Sequence, residues 1–243
     1  MRDIDNIPVR ATIESLADSV TKLADEVYVS LKTIGTALTS LWDGLTEKPP
    51  FAPRSTDLAS LRETILGELE RRGRLFNGAG VVMADGVLAD RPRHLDWWLP
   101  DGHRLNLEMN PDSEYFYDYT KMDWFTVPRD QGRRWVQGPH LDYACTDEYV
   151  CTFAIPVTIT SGTFLGIAGA DVPVAAIEEV LLPRFQTFDQ RVVLVNSEGR
   201  VIIGTDPDFT TGSKTSRMDR SAASVPLEVV PWSLHPVGPT TSH

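Results

Sequence analysis

The densest chemistry in the chain lies at Tyr115–Phe125, YFYDYTKMDWF. Tyr115, Tyr117, Trp124 and Phe125 offer rings, and Asp118 and Asp123 offer carboxylates. Each aromatic side chain buries ~150–250 Å² when packed, so a segment this aromatic must be covered. Two coverings are open. The segment plugs a core above a sheet, or it forms half of an aromatic box with acids at its rim. Such a box holds a small ammonium group by cation–π attraction and ion pairing. Further along, His140, Asp142 and Asp171 add polar groups, while Trp98 and Tyr143 add rings that could roof a pocket.

Other chemistries lack their residues. No GxSxG or HExxH pattern occurs, and Cys145 and Ser161 have no motif around them, so no enzyme activity is expected. His140, Asp142 and Asp171 lack the helical HxxxH or Gly-punctuated acidic loop of a zinc or calcium site, so neither metal nor cofactor is expected. A net charge of −11 leaves no basic stripe for nucleic acid and mildly favours cationic ligands. Cys145 and Cys151 are too few for a disulfide framework, and reduced thiols are expected. The N-terminus has no apolar leader, and no run approaches the ~18–20 apolar residues of a membrane span. On that basis the chain is expected to be cytoplasmic, with no membrane partner.

The elements that must position these residues follow from periodicity. Over residues 10–46, apolar residues fall at Leu16, Val20, Leu23, Val27, Leu31, Ile34, Leu38, Leu41 and Leu45, the single stripe of a long helix. At ~1.5 Å per residue it would run about 55 Å. Part of that stripe is expected to pack on a sheet and the rest on a second copy, making a homodimer. A second helix is expected over Leu58–Arg72, ended by Gly73. Gly78–Ala84 reads as a strand, Asp85-Gly86 as a hairpin turn, and Val87–Ala89 as the start of the return strand.

Residues 90–135 show no clear period, which is usual for functional insertions. A short helix is expected at Asp118–Trp124. Strands resume at Arg133–Val136, Pro139–Tyr143, Tyr149–Thr160 and Thr163–Asp171, the last two joined by Ser161-Gly162. Gly166 and Gly169 leave room for a helix or ligand to approach the backbone. A helix at Val174–Phe185 and strands at Arg191–Asn196 and Arg200–Gly204 follow. Beyond Asp206 the pattern fades, and Pro226–Val237 reads as an edge segment anchored by Trp232.

This order of elements resembles a Cache domain, the PAS-like ligand-sensing module of chemoreceptors and sensor kinases. The words that carry the resemblance are GVVMADG, YFYDYTKMDWF, GPHLDY, TFAIPVTITSGTFLGIAGADV and VVLVNSEGRVI. It implies an α+β fold, a central antiparallel sheet with the long N-terminal helix packed along it. The expected organisation is residues 1–48 as that helix, 56–205 as one Cache unit and 206–243 as a Pro/Ser/Thr-rich tail. The second hairpin reads as the remnant of a further PAS-like unit.

The resemblance also assigns roles. Its amino-acid-binding members have a Tyr, then five residues on an Arg that grips the ligand carboxylate, then Trp and an aromatic. An aromatic-x-Asp loop and a last Asp take the amino group. Tyr117, Trp124, Phe125, His140-x-Asp142 and Asp171 occupy those positions, but Met122 stands in the Arg position with Asp123 beside it. The carboxylate clamp is absent while the ammonium-binding half is kept. The expectation is a non-catalytic sensor for a polyamine or quaternary ammonium, reporting to a separate signalling protein. The alternatives are a sensor for an amino acid or small carboxylate, and a ligand-free interaction module.

Overall fold

The computed structural model describes residues 6–46, 53–109, 112–142, 147–215 and 224–237. Helix α1 spans Asn6–Thr46. After a 3₁₀ turn at Asp57–Leu61 come α2, Arg62–Arg72, and β1, Gly78–Met83. Strand β2 is Leu95–Trp98, α3 is Asp123–Gln131 and β3 is Trp135–Leu141. Strands β4, Tyr149–Thr158, and β5, Phe164–Pro173, form the long hairpin, and α4, Val174–Phe185, follows. The remaining strands are β6, Arg191–Asn196; β7, Val201–Gly204; β8, Val225–Pro226; and β9, Trp232–Val237.

One sheet has the order β2-β1-β5-β4-β3 and the other β7-β6-β9-β8. Strand β1 is antiparallel to both of its neighbours. The chain divides into two compact units. One comprises Met1–Glu26, Gly138–Cys151 and Pro173–His243; the other comprises Val27–Gln137 and Thr152–Val172.

The α1 stripe is buried within this one chain. Leu16, Val20, Leu23, Val27, Leu31, Ile34 and Leu38 are each at most 5% exposed. Gly35 on the same helix faces Val157, Ile155 and Ala168.

Three expectations change. The partner of β1 is not Val87–Ala89 but Leu95–Trp98, in the register Gly80↔Trp97 and Val82↔Leu95. The intervening chain bends back through a hydrogen bond from Gly86 N to Pro92 O, 2.9 Å. The helix of the aromatic segment begins at Asp123 and runs on to Gln131, preceded by a 3₁₀ turn at Tyr119–Lys121. And Trp232–Val237 is an inner strand, paired to β6 on one side and to β8 on the other.

Strands β1 and β2 approach closely at Gly80, where an added Cβ would run into the Asp96 carbonyl and sit 2.8 Å from the Trp97 Cα. No flexible side chain can give way there, because both obstacles are backbone. Gly80→Ala is therefore expected to cost ~1–3 kcal/mol, the range for an overpacked core, measured as a lower urea midpoint with unchanged slope.

Candidate functional site

The aromatic segment condenses into a cluster on one face of the sheet in the second unit. Val82, Leu95, Trp97, Ala154 and Ile167 form its floor, and Tyr119, Trp124 and Phe125 pack on them. Strand alternation explains the floor: Leu95 and Trp97 share one face of β2, whereas His94, Asp96 and Trp98 point to the other. Tyr119 stacks on Trp124 at 6.4 Å and meets Phe125 edge-on at 5.1 Å. Its hydroxyl donates to the Met83 carbonyl, 2.8 Å. Burial pushes the Tyr119 hydroxyl up to about 12, so it stays a neutral donor.

Trp124 and Phe125 are thus packed in the core, at 7% and 1% exposure. The Trp124 backbone N–H donates to Gln137 Oε1, 3.0 Å, which fixes the start of α3. Tyr117 is half-buried against the same cluster, as is Met122. Asp123, expected to face a ligand, instead lies exposed in the first turn of α3. A carboxylate there is favoured by the positive end of the helix dipole.

Asp171 lies on β5 with its carboxylate accepting from Thr152 Oγ1, 2.6 Å. Gly78 is its partner on β1, and Asn77 N donates to the Asp171 carbonyl, 3.1 Å. Trp98, expected to roof the pocket, lies under the Arg62 guanidinium of α2 at 4.9 Å, away from the cluster. His140 and Asp142 belong to the first unit. Burial lowers the His140 imidazole below its ordinary value, with Asp142 pulling the other way, and its Nδ1 is buried without a hydrogen-bond partner among the described residues. Asp142 is buried, and its backbone N donates to the Glu148 carbonyl, 2.8 Å. Tyr143 lies outside the described residues.

Trp97, a ring that the sequence leaves open between pocket roof and core, lies in the core cluster. Its indole crosses the sheet: a Cβ on Gly78 would strike the ring nitrogen, and one on Gly169 would sit 3.2 Å from the ring. The room at Gly169, expected for a helix or ligand, is taken by this ring. The indole Nε1 is buried with no hydrogen-bond partner among the described residues and lies against Gly78, the residue paired with Asp171. The discoverable signal was the glycines at 78, 80 and 169, which converge on one bulky neighbour only once the strands are in register.

No protein-family model matches the chain, and no curated protein does. Solved structures do. The ligand-binding domain of the Pseudomonas aeruginosa amino-acid chemoreceptor PctB, in complex with L-Arg, aligns with a TM-score of 0.65 at 14% identity, over 97% of this chain and 95% of that one. The ligand-binding domain of PctC from the same organism, in complex with GABA, gives 0.59 at 16% identity, over 93% and 96%. This is the fold of chemoreceptor ligand-binding domains. The periplasmic sensory domain of the Campylobacter jejuni chemoreceptor Tlp1 shares it, with a TM-score of 0.58 at 15% identity over 85% of this chain and 74% of that one.

The Cache/PAS-like α+β architecture expected from the sequence is therefore the one observed, with the long N-terminal helix in place. The cytoplasmic expectation does not stand, because the Tlp1 neighbour is a periplasmic sensory domain. The expectation rested on the lack of an apolar leader and of a membrane-spanning run, and such an absence carries no compartment signal. Among the described residues no helix is long and apolar enough to cross a membrane.

Proposed function

We propose that the chain is a non-catalytic sensor domain working outside the cytoplasmic membrane, and that it binds a small cationic amine, a polyamine or quaternary ammonium, near Asp171. The observation that carries this reading is Met122. It is packed among apolar side chains at the position where the amino-acid-binding Cache pattern has its carboxylate-gripping arginine. L-Arg and GABA, bound by the PctB and PctC domains, each carry an ammonium and a carboxylate. A site with Asp171 and neighbouring rings can satisfy the first charge, since an ammonium leaving water needs carboxylates and ring faces. In this reading Asp171, Tyr117 and Trp124 contribute directly; Phe125 supports the rings from the core, and Asp123 and Trp98 drop out.

A second reading, a zwitterionic amino acid, is favoured by the Trp97 indole N–H. That group only donates, is buried, and has no acceptor among the described residues. A ligand carboxylate would supply one.

Occupancy reports to a separate signalling protein by favouring one arrangement of the domain over another. A homodimer along α1 would use the face opposite the buried stripe, where Val29 is 49% exposed. The reading is tested by thermal shift with putrescine, choline, L-arginine and GABA. Putrescine or choline at 100 times its Kd is expected to add ~2.7 kcal/mol of stability, and Asp171→Asn to abolish the response. A response to L-arginine and GABA alone selects the zwitterion reading; one that survives Asp171→Asn places the ligand elsewhere.

A further inference from the structure

A second feature of the same unit carries no part of that reading. A cavity of about 270 Å³ opens beside the outer edge of β2, lined by Arg91, Arg93, His94 and Arg104 together with Asn106. In a chain of net charge −11, no carboxylate lines it among the described residues. Its remaining lining is apolar: Leu95, Leu105, Leu107 and Met109.

Each guanidinium is oriented by neighbouring groups. Arg104 Nε pairs with the buried Asp96 at 2.8 Å, and its Nη2 lies 2.8 Å from His94 Nε2 and donates to the Leu95 carbonyl. Arg93 Nη1 pairs with Asp118 at 3.1 Å and lies over the Phe116 ring. Asp118 is shared with Lys121 at 2.9 Å, and Arg93 Nε also lies 3.9 Å from the exposed Asp85. Arg91 is 60% exposed and only 3.8 Å from Asp90, whose oxygens are taken by Ser55 N and Oγ at 2.8 and 2.7 Å. Each guanidinium has five N–H donors in a fixed fork, so these contacts orient the groups without exhausting them.

The field of these charges is felt inside. Burial first, then Arg104 and Arg91, lowers the His94 imidazole to about 4. His94 is therefore neutral, and its Nε2 accepts from Arg104.

We infer that this cavity is a second ligand site, one that takes a small organic carboxylate. A carboxylate matches the planar fork of an arginine bidentately. The apolar floor accepts a short carbon chain, which inorganic phosphate lacks. The volume lies below the ~300–1,000 Å³ of clefts for drug-sized ligands, so the ligand has few heavy atoms.

Calorimetric titration of the chain with butyrate tests the inference, with inorganic phosphate and n-butylamine as comparators. Butyrate is expected to bind saturably at one site, and the amine not at all. Arg91→Glu is expected to weaken butyrate at least tenfold while leaving the melting temperature without ligand unchanged, because Arg91 is exposed. Arg104→Gln is expected to weaken butyrate at least as much, with a lower melting temperature because it strands the buried Asp96; should it fail to fold, Arg91→Glu decides. Asp171→Asn is expected to leave butyrate binding intact, which separates this site from the amine site. Absence of butyrate binding, phosphate binding as tight as butyrate, unchanged affinity in the Arg91→Glu protein, or loss in Asp171→Asn would each overturn the inference.

Discussion

Phe125→Ala is expected to destabilise the ligand-free protein by ~3–5 kcal/mol, the range for emptying a large buried aromatic position. The ring is 1% exposed and sits among three others: Tyr119 at 5.1 Å, Trp124 at 6.2 Å and Phe164 at 5.9 Å. All three contacts are edge-to-face, the arrangement that adds to simple burial. Its Trp124 and Tyr119 neighbours are anchored through backbone and hydroxyl hydrogen bonds, so the cluster cannot readily collapse into the gap. The measurement is urea unfolding followed by far-UV circular dichroism. A ring lining an open ligand pocket would behave otherwise: its removal would cost within ~0.5 kcal/mol without ligand, like a surface change, and would show itself only in binding. The experiment thus decides between core plug and aromatic box for this half of Tyr115–Phe125.

The two halves of that question were unequally legible. Helix α1 could be read from the sequence because a single stripe, Leu16 to Leu38, repeats at helical spacing and nothing interrupts it. Strand β2 could not. Its buried residues alternate with His94 and Asp96, polar groups that are buried because Arg104 reaches both of them. A strand whose second face holds an ion pair carries no hydropathy pattern, while Val87–Ala89 carries a misleading one. Helix α3 was hidden because its apolar residues are rings crowded at one end and Pro128 lies inside it.

Strand β9 was hidden by its proline. A proline removes a ladder donor and so signals an edge, yet Pro236 pairs with Val192 inside the sheet. Among the described residues β8 pairs with β9 at Ser233 and Leu234 only, and none of them pairs with Pro236 on that side. For the site, residue types were legible but directions were not. Trp97 and Trp98 are adjacent in sequence, and pleating sends one into the aromatic cluster and the other beneath Arg62. Asp123 and Trp124 are separated in the same way by the turn of α3.

His94 makes the second large effect one of pH. Its imidazole is lowered from 6.5 to about 4 in the folded protein, chiefly by burial and then by Arg104 and Arg91, with Asp90 opposing. Between those values the unfolded chain binds the proton and the folded one does not. Stability is therefore full above about pH 6.5 and falls as pH drops toward 4, by about 3 kcal/mol in all. Asp96, raised above 3.8 by burial, acts with the opposite sign, since there the folded form takes up the proton first. That gain enters only near the carboxylate range, so the upper part of the window belongs to the histidines: His94, and His140, whose imidazole burial also lowers. Asp118, held at about 2 first by the Thr120 hydroxyl and then by Lys121, loses its contribution only at still lower pH. Urea midpoints collected from pH 7 to pH 4 for the parent and for His94→Asn make the comparison. The asparagine oxygen can accept from Arg104 but cannot titrate, so the slope between pH 6.5 and 4.5 is expected to flatten in the variant. Equal slopes in both proteins would mean that His94 is protonated in the folded state, and that Arg104 does not hold the imidazole neutral.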